Sequence, residues 1–369
     1  MTIICNAKEL YEAIINVSKA VFEKSTLLVL EGIKINVKET SVELTGYDLE
    51  IGIQTEIGAR STGTGQFVVN ARLMAEMIKK MNSEDVTLEV VDNQQIKVYG
   101  GDTEYTVMYM NAVEFPTLPS KTDDAEIFSI SQPILKSMIS QTVFAVAQTD
   151  AKPVLKGELF EIENNILKVV AIDGYRLAIR NEAVKYDGET KFVVPAKALN
   201  EISKLLKDDD ELTCEISVSK KHVIFEFSGY TVYSRLIEGE FHNYKGSIPE
   251  TGNTEVVIDR KQLINTLERA SILINERIKS PVRCIFNNGE LSISCTTSIG
   301  KINDRIFADI TGSMIEIGFN CKFLLDPLKT INDDKVKLLM NGGNLPMKIV
   351  PLDDERFTFL VLPVRLKTE

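Results

Sequence analysis

FVVNARLMAEMIKKM, residues 67–81, has close counterparts in FVVPAKALNEISKLL at 192–206 and IGFNCKFLLDPLKTI at 317–331. The three stretches start 125 residues apart and align without a gap. A basic residue recurs at Arg72, Lys197 and Lys322, and an apolar one at Met74, Leu199 and Leu324. An acid recurs at Glu76, Glu201 and Asp326, and a second lysine at Lys79, Lys204 and Lys329. Self-similarity at a fixed interval marks a chain built from repeated units. Each copy opens on an apolar run suited to a strand and continues as an amphipathic helix. Met74, Met77, Ile78 and Met81 fall at i, i+3, i+4 and i+7, the spacing of one buried stripe. Arg72 and Lys79, seven apart, share another face. One such pair is ordinarily a solvated helix face. Three in register, in a chain of formal net charge −11, call for a common partner.

A second helix recurs near the start of each unit, in AKELYEAIINVSKAV, QPILKSMISQTVFAV and RKQLINTLERASILI, each preceded by a short strand (TIIC, IFSI, EVVI). Stretches that alternate apolar and polar residues between Gly and Asn turns close each unit. The expected fold is therefore α+β: three modules, each of two helices packed on antiparallel sheet. The Pro-, Gly- and charge-rich segments 116–125 and 247–254 read as linkers, which places the modules at 1–120, 127–246 and 254–369.

Bulk composition excludes several classes. At 44% hydrophobic and 26% charged residues, the chain has the make-up of an ordinary globular protein. No signal peptide is read at the N-terminus, and no apolar run approaches the ~18 residues of a membrane span. We expect no membrane association and a cytoplasmic protein. Cys5, Cys214, Cys284, Cys295 and Cys321 are dispersed, and we expect buried, reduced thiols. With only His222 and His242, a histidine metal cluster or a Ser-His-Asp triad has little material. The glycines of TGTG (62–65) and of the pairs at 100–101 and 342–343 lack the Gly-Lys-Ser/Thr ending of a phosphate loop. Asp208–Asp210 reads as a solvated loop. We expect no catalytic site, metal or cofactor.

Repeated basic helices without catalytic groups suggest binding by shape and charge. Three two-helix modules can form an arc, and two such arcs related head to tail would close a ring with helices inside and sheets outside. A basic lining beneath an acidic exterior reconciles the lysine pattern with the net charge. Such a lining contacts phosphates without reading bases.

The stretch AIDGYRLAIR (171–180) adds a specific mark. Asp173-Gly174 is a hairpin-turn dipeptide, followed at once by Tyr175, Arg176 and Leu177. Read alone, it is either a hairpin whose Tyr and Arg pack on a neighbouring strand or a recognition surface. AIDGYRLA resembles the A-T-D-G-x-R-L-A signature of the bacterial sliding clamp, the β processivity subunit of the replicative DNA polymerase. The C-terminal VLPVRL (361–366), GYDLE (46–50), FVVNA (67–71) and IGFN (317–320) are similar to further stretches of that family, and the likeness spans essentially the whole chain. It implies a homodimeric ring around double-stranded DNA, bound without regard to sequence, that tethers the polymerase catalytic subunit. It also implies a pocket for short linear peptides, typically a glutamine followed by leucines and a phenylalanine, from the polymerase, clamp loader and repair proteins. By the resemblance the pocket comprises Leu155, Ile172, Gly174, Tyr175, Arg176, Leu177, the 241–247 segment with His242, Phe323, Pro346 and the tail Leu360, Val361, Leu362, Pro363, Val364, Arg365 and Leu366. Arg176 is expected to act as a donor at the rim. Lys24, Arg72, Lys79, Lys80, Lys152, Lys197 and Lys204 are expected to face DNA. Leu73, Met77, Tyr105 and Val107 of one subunit are expected to meet Ile272 and Leu273 of the other.

The chain departs from the family in places. His242 stands where a proline is usual, Gly246 and Ser247 replace a basic–apolar pair, and Thr149 and Pro153 replace bulkier residues in a loop near DNA. Lys367, Thr368 and Glu369 run past the usual terminus, over the expected pocket rim. Two other readings compete: a carboxylate-dependent nuclease or transferase, which would need acids clustered at strand ends, and a multi-module protein-binding scaffold that does not bind DNA.

Overall fold

The protein is described by a computed structural model covering residues 1–91, 94–274 and 280–366. Among these residues the six helices stand where the repeats place them. Helices α1 (Ala7–Val17), α3 (Gln132–Thr142) and α5 (Arg260–Ser271) follow short strands, and α2 (Ala71–Lys80), α4 (Ala196–Leu205) and α6 (Cys321–Thr330) start 125 residues apart. Local chemistry explains several starts. The side chains of Asn6, Asn70, Asp259 and Asn320 each accept a backbone N–H from the first turn of their helix, satisfying donors that the helix itself leaves open. On α2, Met74, Met77 and Ile78 are buried, and Met81 follows them into the core.

The helices pack with four antiparallel sheets. The chain divides into two compact units: 1–135 with 201–236, and 136–200 with 237–369. The central repeat is shared between them because strands from neighbouring repeats pair edge to edge. In the first unit Tyr230–Arg235 pairs with Ile51–Gly58, which makes one nine-stranded sheet. In the second, Arg176–Ala183 pairs with Phe357–Val361, again within nine strands. Each unit also has a smaller sheet. The five-stranded one ends on Thr103–Met108, and the four-stranded one ends on Gly300–Phe307.

All five cysteines are buried and unpaired. Burial pushes the thiols of Cys5, Cys284 and Cys321 up to about 12, so they behave as small apolar groups. Among the described residues no helix is long and apolar enough to cross a membrane, and no group of acids, histidines and cysteines has the arrangement of a metal site.

Candidate functional site

The turn quoted above is built around Asp173. Strands Ile166–Ile172 and Arg176–Ala183 pair with Ile172 opposite Leu177, so the turn centres on Gly174 and Tyr175, one residue later than the Asp-Gly signal suggests. Gly174 has φ +90°, a conformation that glycine adopts without a Cβ penalty. The Asp173 carboxylate accepts the backbone N–H groups of Tyr175 at 2.9 Å and Arg176 at 3.0 Å. This local bonding sets the turn.

Arg176 is not the rim donor expected from the resemblance. It is buried, 6% exposed, and each of its three guanidinium nitrogens donates a hydrogen bond. Nε donates to Asp173 Oδ2 at 3.0 Å, Nη1 donates to Asp326 Oδ2 at 2.5 Å, and Nη2 donates to the Phe144 carbonyl. The cation also lies over the Phe323 ring, 4.5 Å from its centroid, and the Phe144 ring at 5.4 Å. Two carboxylates and two aromatic faces keep the charge from being an uncompensated buried ion. Arg176 thus ties the turn to α6. Tyr175 is what the turn presents, 63% exposed, its ring tilted against Phe323 at 6.1 Å.

Around Arg176 lie many of the residues that the resemblance assigns to a pocket. Leu155, Ile172, Leu177 and Leu360 form one apolar cluster with Phe241 and Tyr244. Val361 is buried, Leu362 and Val364 are partly exposed, and Pro346, Pro363 and Leu366 are half-buried. Gly174, His242 and Arg365 are exposed, while Phe323 is partly so. The tail is held at two points: Leu362 N–H donates to the Tyr175 carbonyl at 2.9 Å and Val364 N–H donates to the Gly318 carbonyl at 2.8 Å. A Cβ on Gly318 would stand 2.6 Å from Val364 O, so the IGFN glycine admits the tail. The 241–247 segment is pinned by Tyr244, whose hydroxyl donates to Glu161 Oε2 at 2.8 Å. Burial and that carboxylate push its phenol well above the usual range. Leu155 and His242 line a cavity of about 530 Å³ between 151–155 and 238–243. Val364 lines a second, of about 680 Å³, beside α6. The residues Lys367–Glu369 lie outside the described residues.

Sequence reasoning missed two of the pieces that build this wall: Phe144 and the role of Asp326. Asp326 carried a signal, as the acid repeated with Glu76 and Glu201, but nothing local says that it reaches Arg176, 150 residues earlier.

The basic residues divide by surroundings. Lys24, Arg72, Lys79, Lys80 and Lys152 are exposed. Lys197 and Lys204 are exposed on α4, with Lys204 2.8 Å from Glu201. Burial lowers the pKa of Lys19, which sequence reasoning did not single out; Glu201 opposes the fall and Lys204 adds to it. In the third repeat the equivalent lysines are paired on the surface, Lys322 with Asp326 and Lys329 with Glu268.

The two smaller sheets each end on a long edge strand, and such edges invite pairing with another chain. Thr103–Met108 turns Glu104, Thr106 and Met108 outward and half-buries Tyr105 and Val107. Gly300–Phe307 exposes Lys301, Asn303, Arg305 and Phe307. Ile272 is 77% exposed, and half-buried Leu273 lies against Gly300. On α2, Leu73 is exposed whereas Met77 is only 4% so. Met77 therefore serves its own core, as the buried stripe requires, and Leu73 is the apolar residue that α2 leaves exposed.

Comparison with known proteins matches these features. Three family models cover the chain in order: DNA polymerase III beta subunit N-terminal domain over residues 1–119, central domain over 129–243 and C-terminal domain over 245–365. A beta sliding clamp of Halalkalibacterium halodurans is 33% identical over 365 residues, covering 95% of this chain and 96% of the relative. The crystal structure of the DNA polymerase sliding clamp from Bacillus subtilis superposes with a TM-score of 0.95 at 30% identity and full coverage of both chains. That of the DNA polymerase III subunit beta from Pseudomonas aeruginosa gives 0.92 at 28% identity, covering 99% of this chain and 100% of the other. Three clamp domains in sequence, on the repeat read from residues 67, 192 and 317, establish that the chain belongs to the DNA polymerase III beta subunit family, the bacterial beta sliding clamps.

Proposed function

We propose that this protein is the sliding clamp of a replicative DNA polymerase, a non-catalytic processivity factor. Two copies close head to tail into a ring around duplex DNA, in the cytoplasm. The observation that carries the reading is the ordered succession of all three clamp domains over residues 1–365. It favours a clamp over a nuclease, a transferase or a DNA-free scaffold.

The geometry supports a division of labour. Exposed Arg72, Lys79, Lys80, Lys197 and Lys204, with Lys24 and Lys152, meet backbone phosphates without base contacts. The edge strand Thr103–Met108 of one copy adds to Gly300–Phe307 of the other, with Glu104 facing the Lys301 and Arg305 side. Leu73, Tyr105 and Val107 then cover Ile272 and Leu273. Tyr175, Leu177, Leu362 and Val364, backed by the Arg176 clamp, receive apolar anchors of peptides from the polymerase, clamp loader and repair proteins.

A topological test decides it. The protein is loaded on a nicked circular plasmid by a clamp loader and washed in high salt, and the circle is then cut once. Retention on the circle with loss from the linear form is expected. Release by salt alone, with a loader shown to be active on this protein, would mean simple electrostatic binding and would overturn the reading.

A further inference from the structure

We propose that Asp326 is a positioning residue of the peptide pocket, and that Lys322 makes its hold on Arg176 respond to DNA. The inference rests on the clamp reading above. Asp326 Oδ2 is a shared acceptor: Arg176 Nη1 reaches it at 2.5 Å and Lys322 Nζ at 2.8 Å, while Lys322 also reaches Oδ1 at 2.9 Å. The side chains grade from sealed to open, Arg176 being 7% exposed, Asp326 17% and Lys322 70%. One end of this chain of charges is thus buried under the pocket wall and the other is in water.

Lys322 occupies the repeat position of Arg72 and Lys197, which the clamp reading assigns to phosphate. In the central repeat the corresponding acid, Glu201, pairs with Lys204 on its own helix. In the third, the acid also reaches across to the turn. A phosphate that draws Lys322 away leaves Oδ2 to Arg176 alone, and an acceptor relieved of a competing cation holds the remaining one more firmly. Arg176 lies over Phe323, against which the Tyr175 ring is tilted. A firmer Arg176 therefore stiffens the exposed aromatic wall, and a preorganised wall binds peptide more tightly. Linkage makes the effect reciprocal, so that peptide in the pocket favours the DNA-engaged state.

The test measures the affinity of a fluorescent Gln-Leu-Ser-Leu-Phe peptide by anisotropy. It compares the intact dimer free in solution with the dimer loaded on a nicked circle and purified from loader. Wild type is expected to bind about two- to threefold more tightly on DNA, the scale that an exposed ion pair can carry. Lys322→Gln should bind equally in both states, at the tighter value, and Lys322→Arg should keep the response. Asp326→Asn should bind more weakly in both. Equal wild-type affinities, or a full response in Lys322→Gln, would overturn the coupling. Lys322 is exposed, so its variants carry the test even if Asp326→Asn proves poorly folded. A wild type that is retained on the circle and binds peptide without a DNA response defeats this inference alone. Failure of retention or of peptide binding defeats the clamp reading and the inference together.

Discussion

The backbone N–H of Leu362 donates to the carbonyl of Tyr175 across 2.9 Å, which fastens the C-terminal tail to the one exposed aromatic residue of the 173–176 turn. The tail and the turn are therefore a single wall. Removing the residues after Leu362 together with Arg176→Ala should weaken capture of a clamp-binding peptide by at least about tenfold, as expected when anchoring contacts are lost. Sedimentation should show the dimer intact. Unchanged affinity in calorimetry would remove this wall from the site.

Gly318→Ala tests the tail's seat from beneath. Its Cβ would fall 2.6 Å from Val364 O and 2.7 Å from Leu366 Cδ2, so the tail must lift. Overpacking of this kind typically costs about 1–3 kcal/mol. Peptide affinity should drop, and the tail should become more sensitive to carboxypeptidase. A variant matching wild type in both would show that the tail yields without consequence.

Ile272 is exposed on the single chain, so truncating it leaves the fold alone. Ile272→Ala with Leu273→Ala should yield monomers, because buried aliphatic truncations cost about 2–5 kcal/mol each and half-buried Leu273 somewhat less. Analytical ultracentrifugation at low micromolar concentration reads the outcome, and an intact dimer there would relocate the seam.

Glu158 is wholly buried, and neither of its carboxyl oxygens has a hydrogen-bond partner. Burial pushes its pKa well above the usual carboxyl range. The nearby Thr142 hydroxyl, which donates to the Met138 carbonyl at 2.8 Å, lowers it less than burial raises it. The folded state thus binds the proton more tightly than the unfolded chain. Its stabilising share is complete below the unfolded value of about 4.3 and is lost as pH rises from there through the raised folded value. Glu158→Gln, which cannot ionise, should flatten the fall in melting temperature over that window. A pH profile that keeps the wild-type slope would put the titration elsewhere.

Arg72 and Lys79 are exposed on α2. Changing both to Glu should weaken retention on circular DNA and reduce the salt slope of binding by roughly 0.9 per phosphate contact removed. Thermal stability should move little, since surface substitutions usually stay within about 0.5 kcal/mol. Undiminished retention would mean that these residues do not line the DNA path.

The repeat, the six helices and the basic positions were legible in the sequence because helix periodicity and turn chemistry are local. Met74, Ile78 and Met81 announce a buried stripe by spacing alone. Local pattern could not say that strands of neighbouring repeats join edge to edge, since backbone pairing of Tyr230–Arg235 with Ile51–Gly58 leaves no residue signature. Nor could it decide the fate of Arg176. A guanidinium beside a turn is as readily a surface donor as a core clamp. Only the convergence of Asp173, Asp326, Phe144 and Phe323 from separate parts of the chain compensates its charge and lets it be buried. Met77 shows the same limit, because spacing made it a core residue while resemblance made it a contact. The sequence alone determined which residues repeat and which face of each helix is apolar. Tertiary structure decided which polar groups are sealed from water, because that depends on neighbours distant in the chain.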